Sequence, residues 1–183
     1  MSRPMFALSA AILFLVFTLA APMAQAQILQ AELKVKGLAC PFCAYGLERK
    51  LKQLPGAVAF KLLLNENRAR VQFSGERSPG LGDIPKVVDE AGFKLGALRL
   101  TLRAQRAACE GHPCLKLRDG QWVLLAGEGA GPALVEEVAE GEMVEVTGTV
   151  LLKQAQGHGQ HPFTLRVESY QLVQRQRLRG GSN

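Results

Sequence analysis

The chain has 183 residues, with 22 Lys and Arg against 16 Asp and Glu, and a formal charge of +6 spread along its length. So mild an excess, with two Tyr, one Trp and 6% aromatic residues in all, supplies no stacking platform and argues against nucleic acid as a partner. No general acid/base pair, phosphate loop or nucleophile with an adjacent base stands out, so no enzyme class is indicated.

Arg3 precedes an apolar run from Met5 to Ala21, and Ala24-Gln25-Ala26 places small residues where a signal peptidase reads. This is the pattern of a secretory signal over residues 1–26, cut between Ala26 and Gln27, and it predicts a periplasmic protein. The competing reading is an uncleaved anchor, because the run approaches the roughly 20 residues that a span requires. The A-x-A site directly behind the run favours cleavage. Gln27, not a Cys, stands directly after that site, which disfavours a lipoprotein, and nothing later in the chain is apolar enough to span a membrane.

Residues 28–104 read as a first domain. Leu29, Ala31, Leu33 and Val35 alternate with Gln30, Glu32, Lys34 and Lys36, the period of a half-buried strand. Ala44, Leu47, Leu51 and Leu54 then recur at helical spacing, up to a stop at Pro55-Gly56. Between strand and helix lies Gly37-Leu38-Ala39-Cys40-Pro41-Phe42-Cys43, a CxxC loop. Cys43 falls at the first helical turn, where unpaired N–H groups and the helix dipole favour thiolate. Two thiolates at this spacing can close on one soft cation such as Cu(I) or Hg(II). Val58 to Leu64 and Ala69 to Phe73 form a hairpin around Asn65-Glu66-Asn67. Ile84, Val87, Val88 and Ala91 mark a short helix with Asp83 as N-cap and Gly92 as stop, and Leu98, Leu100 and Leu102 a last strand. The order is βαββαβ, which predicts a ferredoxin-like antiparallel sheet with both helices on one face.

Gly37-Leu38-Ala39-Cys40-x-x-Cys43, Leu47-Glu48, Leu51, Leu54-Pro55-Gly56-Ala57-Val58 and Ala91-Gly92-Phe93 resemble, in order, the motifs of the heavy-metal-associated domain family. That family includes copper chaperones, N-terminal modules of metal-pumping ATPases and the periplasmic mercury-binding protein. The resemblance covers the whole first domain. It implies that Cys40 and Cys43 are metal ligands and that Phe93 is an aromatic beside the metal loop. Leu38 stands where the family usually has a buried Met, and Ala39 where it has Thr; Leu suits the same packing role. Pro41-Phe42 between the cysteines is less typical and is similar to the CPxC of glutaredoxin-like enzymes. The alternative function is therefore a periplasmic thiol-disulfide oxidoreductase using the same CPFC motif. It would need a Pro lying before a strand, and Ile84-Pro85 is followed by a helical pattern instead.

Arg103 to Ala108 reads as a polar, Ala-rich link. Residues 107–173 then look all-β, with a turn at Asp119-Gly120, a strand at Trp122 to Leu125, a loop at Gly127 to Gly131 and a short helix within Pro132 to Glu140. Val144 to Leu152 and Phe163 to Val167 alternate, and Gly148 in mid-strand predicts the bend of a barrel corner. The whole resembles a small OB-like barrel. Residues 174–183 read as a disordered tail. Cys109, His112 and Cys114 lie close together, and His158 and His161 share a Gly-rich loop. Two readings stand: a Cys109–Cys114 disulfide, or a second metal site with the three His that would suit Zn(II) or copper.

The expected fold class is thus α+β, a ferredoxin-like βαββαβ domain followed by a small mostly-β, OB-like barrel domain. The expected function is that of an exported protein that binds and transfers or buffers a soft metal ion through Cys40 and Cys43. The expected cofactor is Cu(I) or Hg(II), with Zn(II) as a third choice. The expected partner is a metal-transport or metal-accepting protein with thiol ligands, with no nucleic acid and no membrane after signal cleavage.

Overall fold

The computed structural model describes residues 27–38, 41–75, 77–152 and 163–173, without the side chains of Pro41 and Cys43. Strand β1 (Gln27–Lys36) leads into helix α1 (Pro41–Lys52), followed by β2 (Ala57–Leu63) and β3 (Arg68–Phe73). The turn between β2 and β3 is a short 3-10 segment, Leu64–Glu66, closed by Asn67 in the left-handed region at φ 52°. Helix α2 (Asp83–Glu90) precedes β4 (Lys94–Cys109). Strands β5 (His112–Lys116) and β6 (Trp122–Gly129), helix α3 (Gly131–Glu137), and strands β7 (Met143–Val150) and β8 (Thr164–Leu172) complete the described chain.

All eight strands share one sheet in the order β2-β3-β1-β4-β5-β6-β8-β7, and β7 returns to pair with β4. Five strands, β4, β5, β6, β8 and β7, therefore close into a barrel, in which only the β6–β8 pair is parallel. Strand β4 is 16 residues long and belongs to both halves. One of its edges is paired by β1 from Lys94 to Arg103 and by β5 from Gln105 to Cys109. The other is paired by β7 from Leu98 to Gln105.

The fold class expected from the sequence is corrected by this sheet. The chain is mostly β, with a closed five-strand barrel and helices of 12, 8 and 7 residues among the described ones, and is not the α+β chain of a ferredoxin-like domain followed by a separate OB-like barrel domain. The reason lies in the stretch from Arg103 to Ala108. Ala is depleted in strands, so local preference there is weak. Pairing by β5 and β7 along both edges overrides it and continues the strand.

Leu98, Leu100, Leu102 and Ala104 of β4 sit on the face that carries Ala31, Leu33 and Val35 of β1 and Val144, Val146 and Val150 of β7, all buried. In the first half Ala44, Leu47 and Leu51 of α1 and Ile84 and Val88 of α2 cover this face; in the second it becomes the barrel interior. Among the described residues one apolar cluster runs through both halves. Along β1 a register shift between Ile28 and Gln30 turns Ile28 inward, 1% exposed, and leaves Leu29 half-buried. At the start of α2 the cap position is Gly82, and the Asp83 carboxylate accepts from the Gly80 N–H at 2.8 Å. Gly148 stands at a register shift between β7 and β8, where a Cβ would come within 2.5 Å of the Arg166 carbonyl oxygen. A side chain there would meet backbone, which is why the corner takes glycine. Tyr170 on β8 donates to the Glu137 carboxylate of α3 at 2.6 Å, and that bond pushes its phenol up from the ordinary value.

Candidate metal centre

The CxxC stretch joins the end of β1 to the start of α1. Gly37 turns the chain at φ 83°, a conformation that glycine adopts without steric cost. Leu38, next in line, is fully buried and ties the loop to the core. Helix α1 opens at Pro41, a position whose missing N–H has no intrahelical partner in any case. Cys43 is the third residue of that helix, so its backbone lies in the first turn. Ala39 and Cys40 lie outside the described residues, as do His158, His161, residues 1–26, expected to be a signal, and residues 174–183, expected to be a tail.

Around this stretch α1 buries Ala44, Leu47 and Leu51 and presents Phe42 and Tyr45 to solvent, 91% and 67% exposed. The exposed aromatic pair was missed by sequence reasoning about the site. Its signal was there, since Phe42 and Tyr45 are three apart and off the stripe formed by Ala44, Leu47 and Leu51. Lys50 bridges to Glu90 at 3.3 Å and ties α1 to α2. Phe93 is buried at the exit of α2, 8% exposed. Pro85 is the third residue of α2, not a loop residue before a strand.

The second cysteine pair brackets a tight hairpin between β4 and β5. Glu110 and Gly111 both have positive φ, 49° and 82°, as a two-residue primed turn requires. That turn brings Cys109 and Cys114 to a Cα–Cα distance of 5.9 Å, and they are joined as a disulfide. Neither sulfur is then a thiolate available to a metal, so the second-site reading of Cys109, His112 and Cys114 gives way to the disulfide. His112 is exposed at the start of β5. Among the described residues, which do not include Cys40, no group of three or more His, Cys, Asp or Glu is placed to hold a metal ion.

The disulfide closes a short loop, and on chain-entropy grounds it adds about 2 kcal/mol. Alkylation of the unfolded, unreduced protein should leave Cys109 and Cys114 unmodified, with or without a chelator. Labelling of either residue on chelation alone would refute the bond.

No family model matches the chain, and no curated protein does. Solved structures similar to it include a heavy metal binding protein from Thermotoga maritima, 17% identical over 38% of this chain and 96% of that one, with a TM-score of 0.32. A copper binding domain from a P-type ATPase is 25% identical over 39% of this chain and 92% of its own, with a TM-score of 0.34. A chain from a structure concerned with crosstalk between Cu(I) and Zn(II) homeostasis is 24% identical over 38% and 96%, with a TM-score of 0.32. At these TM-scores the likeness assigns neither fold nor function to the present chain.

Proposed function

We propose that the chain binds one soft heavy-metal ion, Cu(I) or Hg(II), through the thiolates of Cys40 and Cys43 and transfers or buffers it. The observation that carries this reading is the strand-to-helix junction. A positive-φ Gly37 and a buried Leu38 fix the entry to the loop, and α1 starts one residue after Cys40. Two thiolates on such a loop hold a soft ion with few ligands and leave room for a third. A partner's thiol can enter as one of the two leaves, which a closed four-ligand site would not permit. The partner is accordingly a metal-transport or metal-accepting protein with thiol ligands. An exported, periplasmic location after cleavage behind Ala26 belongs to the same reading, and the protein is a carrier, not an enzyme.

Native mass spectrometry of the reduced protein with Cu(I), Hg(II) and Zn(II) in competition tests it. One equivalent of Cu(I) or Hg(II), bound in preference to Zn(II), is the expected result. Absence of stoichiometric binding overturns the reading. Catalytic insulin reduction at low protein concentration would replace it with a thiol oxidoreductase.

A further inference from the structure

The sheet face turned away from α1 and α2 is built of charges in register. One cross-strand row reads Lys61, Arg70, Glu32, Arg99, Thr149 and Arg166 from β2 to β8. The adjacent row places Arg68 opposite Lys34. Lys61 thus stands directly across from Arg70, and Lys34 directly across from Arg68, and like charges in that position destabilise a sheet. The carboxylates of the face are already engaged. Glu32 takes Arg70 at 3.0 Å and Arg68 at 3.2 Å, and Glu168 takes Arg99 and the Thr149 hydroxyl, each at 2.7 Å. Lys34 and Lys61 are exposed, and among the described residues neither has a carboxylate partner.

Glu168 illustrates what this face does to a carboxylate. Partial burial pushes its carboxyl up, but the hydrogen bonds from Thr149 and Arg99 and the charges of Arg99 and Arg166 together hold it below the ordinary value. A depression of ≈ 330 Å³ between Glu32, Lys34, Arg68, Ala97, Arg99 and Thr149 lies on the same face. An acidic residue at position 34 or 61 would relieve the repulsion at no cost in packing, since both side chains are exposed. Glu32 offsets the arginine of each pair but not the lysine, and local rules broken in this way are expected at functional or strained sites.

We propose that this face docks an extended acidic segment of a partner polypeptide, whose carboxylates complete the lattice at Lys34 and Lys61. The two lysines stand two strands apart and offset by two residues, roughly 12 Å, which matches positions i and i+4 of an extended chain. A carboxylate partner is favoured because the arginines of the face already hold carboxylates. The rows contain no aromatic on which a base could stack, so they lack what a single-stranded nucleic acid uses.

The test uses the full chain, reduced and held with a chelator so that no metal enters. A fluorescein-labelled peptide of about ten residues alternating Glu and Thr is titrated by anisotropy at low salt. The double reversal K34E/K61E should weaken binding about tenfold or more, whereas R49E/K86E, the same charge change on the helices, should alter it less than about twofold. Lys61→Glu alone should raise the thermal midpoint, since it sets a carboxylate opposite Arg70. Equal losses in the two double variants overturn the proposal. So do a lowered midpoint in Lys61→Glu, no peptide binding by the unaltered protein, or tighter binding of oligothymidylate or phosphatidylglycerol vesicles than of the peptide.

Discussion

Replacing Cys40 and Cys43 together by Ser is expected to remove tight binding of Cu(I) or Hg(II) while the protein stays folded. A serine hydroxyl is a hard, protonated oxygen at neutral pH, whereas a soft ion selects thiolate. The affinity should fall by at least about a thousandfold, about 4 kcal/mol. Folding is expected to survive because the junction is held by Leu38, Ala44 and Leu47, all fully buried and untouched by the change. Competition against a chromophoric chelator measures the loss, and circular dichroism measures the fold. Sub-micromolar binding retained by the double variant would sink the metal reading of this loop. That outcome would leave the acidic-segment proposal standing, since it is tested without metal.

Leu100→Ala is the second large effect, and it addresses the shared strand. Leu100 is 1% exposed in the middle of β4, with Ala31 of β1 on one side and Gly148 of β7 on the other. Truncating a buried Leu costs about 2–5 kcal/mol, a large part of the roughly 5–15 kcal/mol that keeps a domain folded. The loss should be felt by both halves at once, because the helix-covered face and the barrel interior form one cluster. Fluorescence of Trp122 on β6 and hydrogen exchange of the α1 amides should therefore shift together in urea. Two transitions, with only one displaced, would show that β4 does not couple the halves.

The places where sequence reasoning succeeded are those where a pattern is complete within a few turns or one strand. Leu33 and Val35, Val71 and Phe73, and Val144 and Val146 alternate with polar neighbours, and each strand is legible because period two belongs to the segment itself. The stripe of Ala44, Leu47 and Leu51 shows α1 for the same reason. Gly148 was legible as a corner because a glycine inside an alternating strand has no local purpose. The place of the CxxC at a strand-to-helix junction was legible too, since β1 before it and α1 after it each show their own period.

What only the tertiary structure decided depends on partners far apart in the chain. The spacing of Cys109 and Cys114 allowed a ligand set or a disulfide, and the choice fell to the turn conformation of Glu110 and Gly111. No property of residues 103–108 shows that β5 and β7 pair with them on opposite edges, so a strand read as a link and the fold class was wrong. The opposition of Lys61 to Arg70 and of Lys34 to Arg68 appears only once the register of three strands is set. Periodicity reports which face of a strand is apolar. It does not report which strand lies beside it, because that is settled by burial and ladder hydrogen bonds summed over the whole sheet.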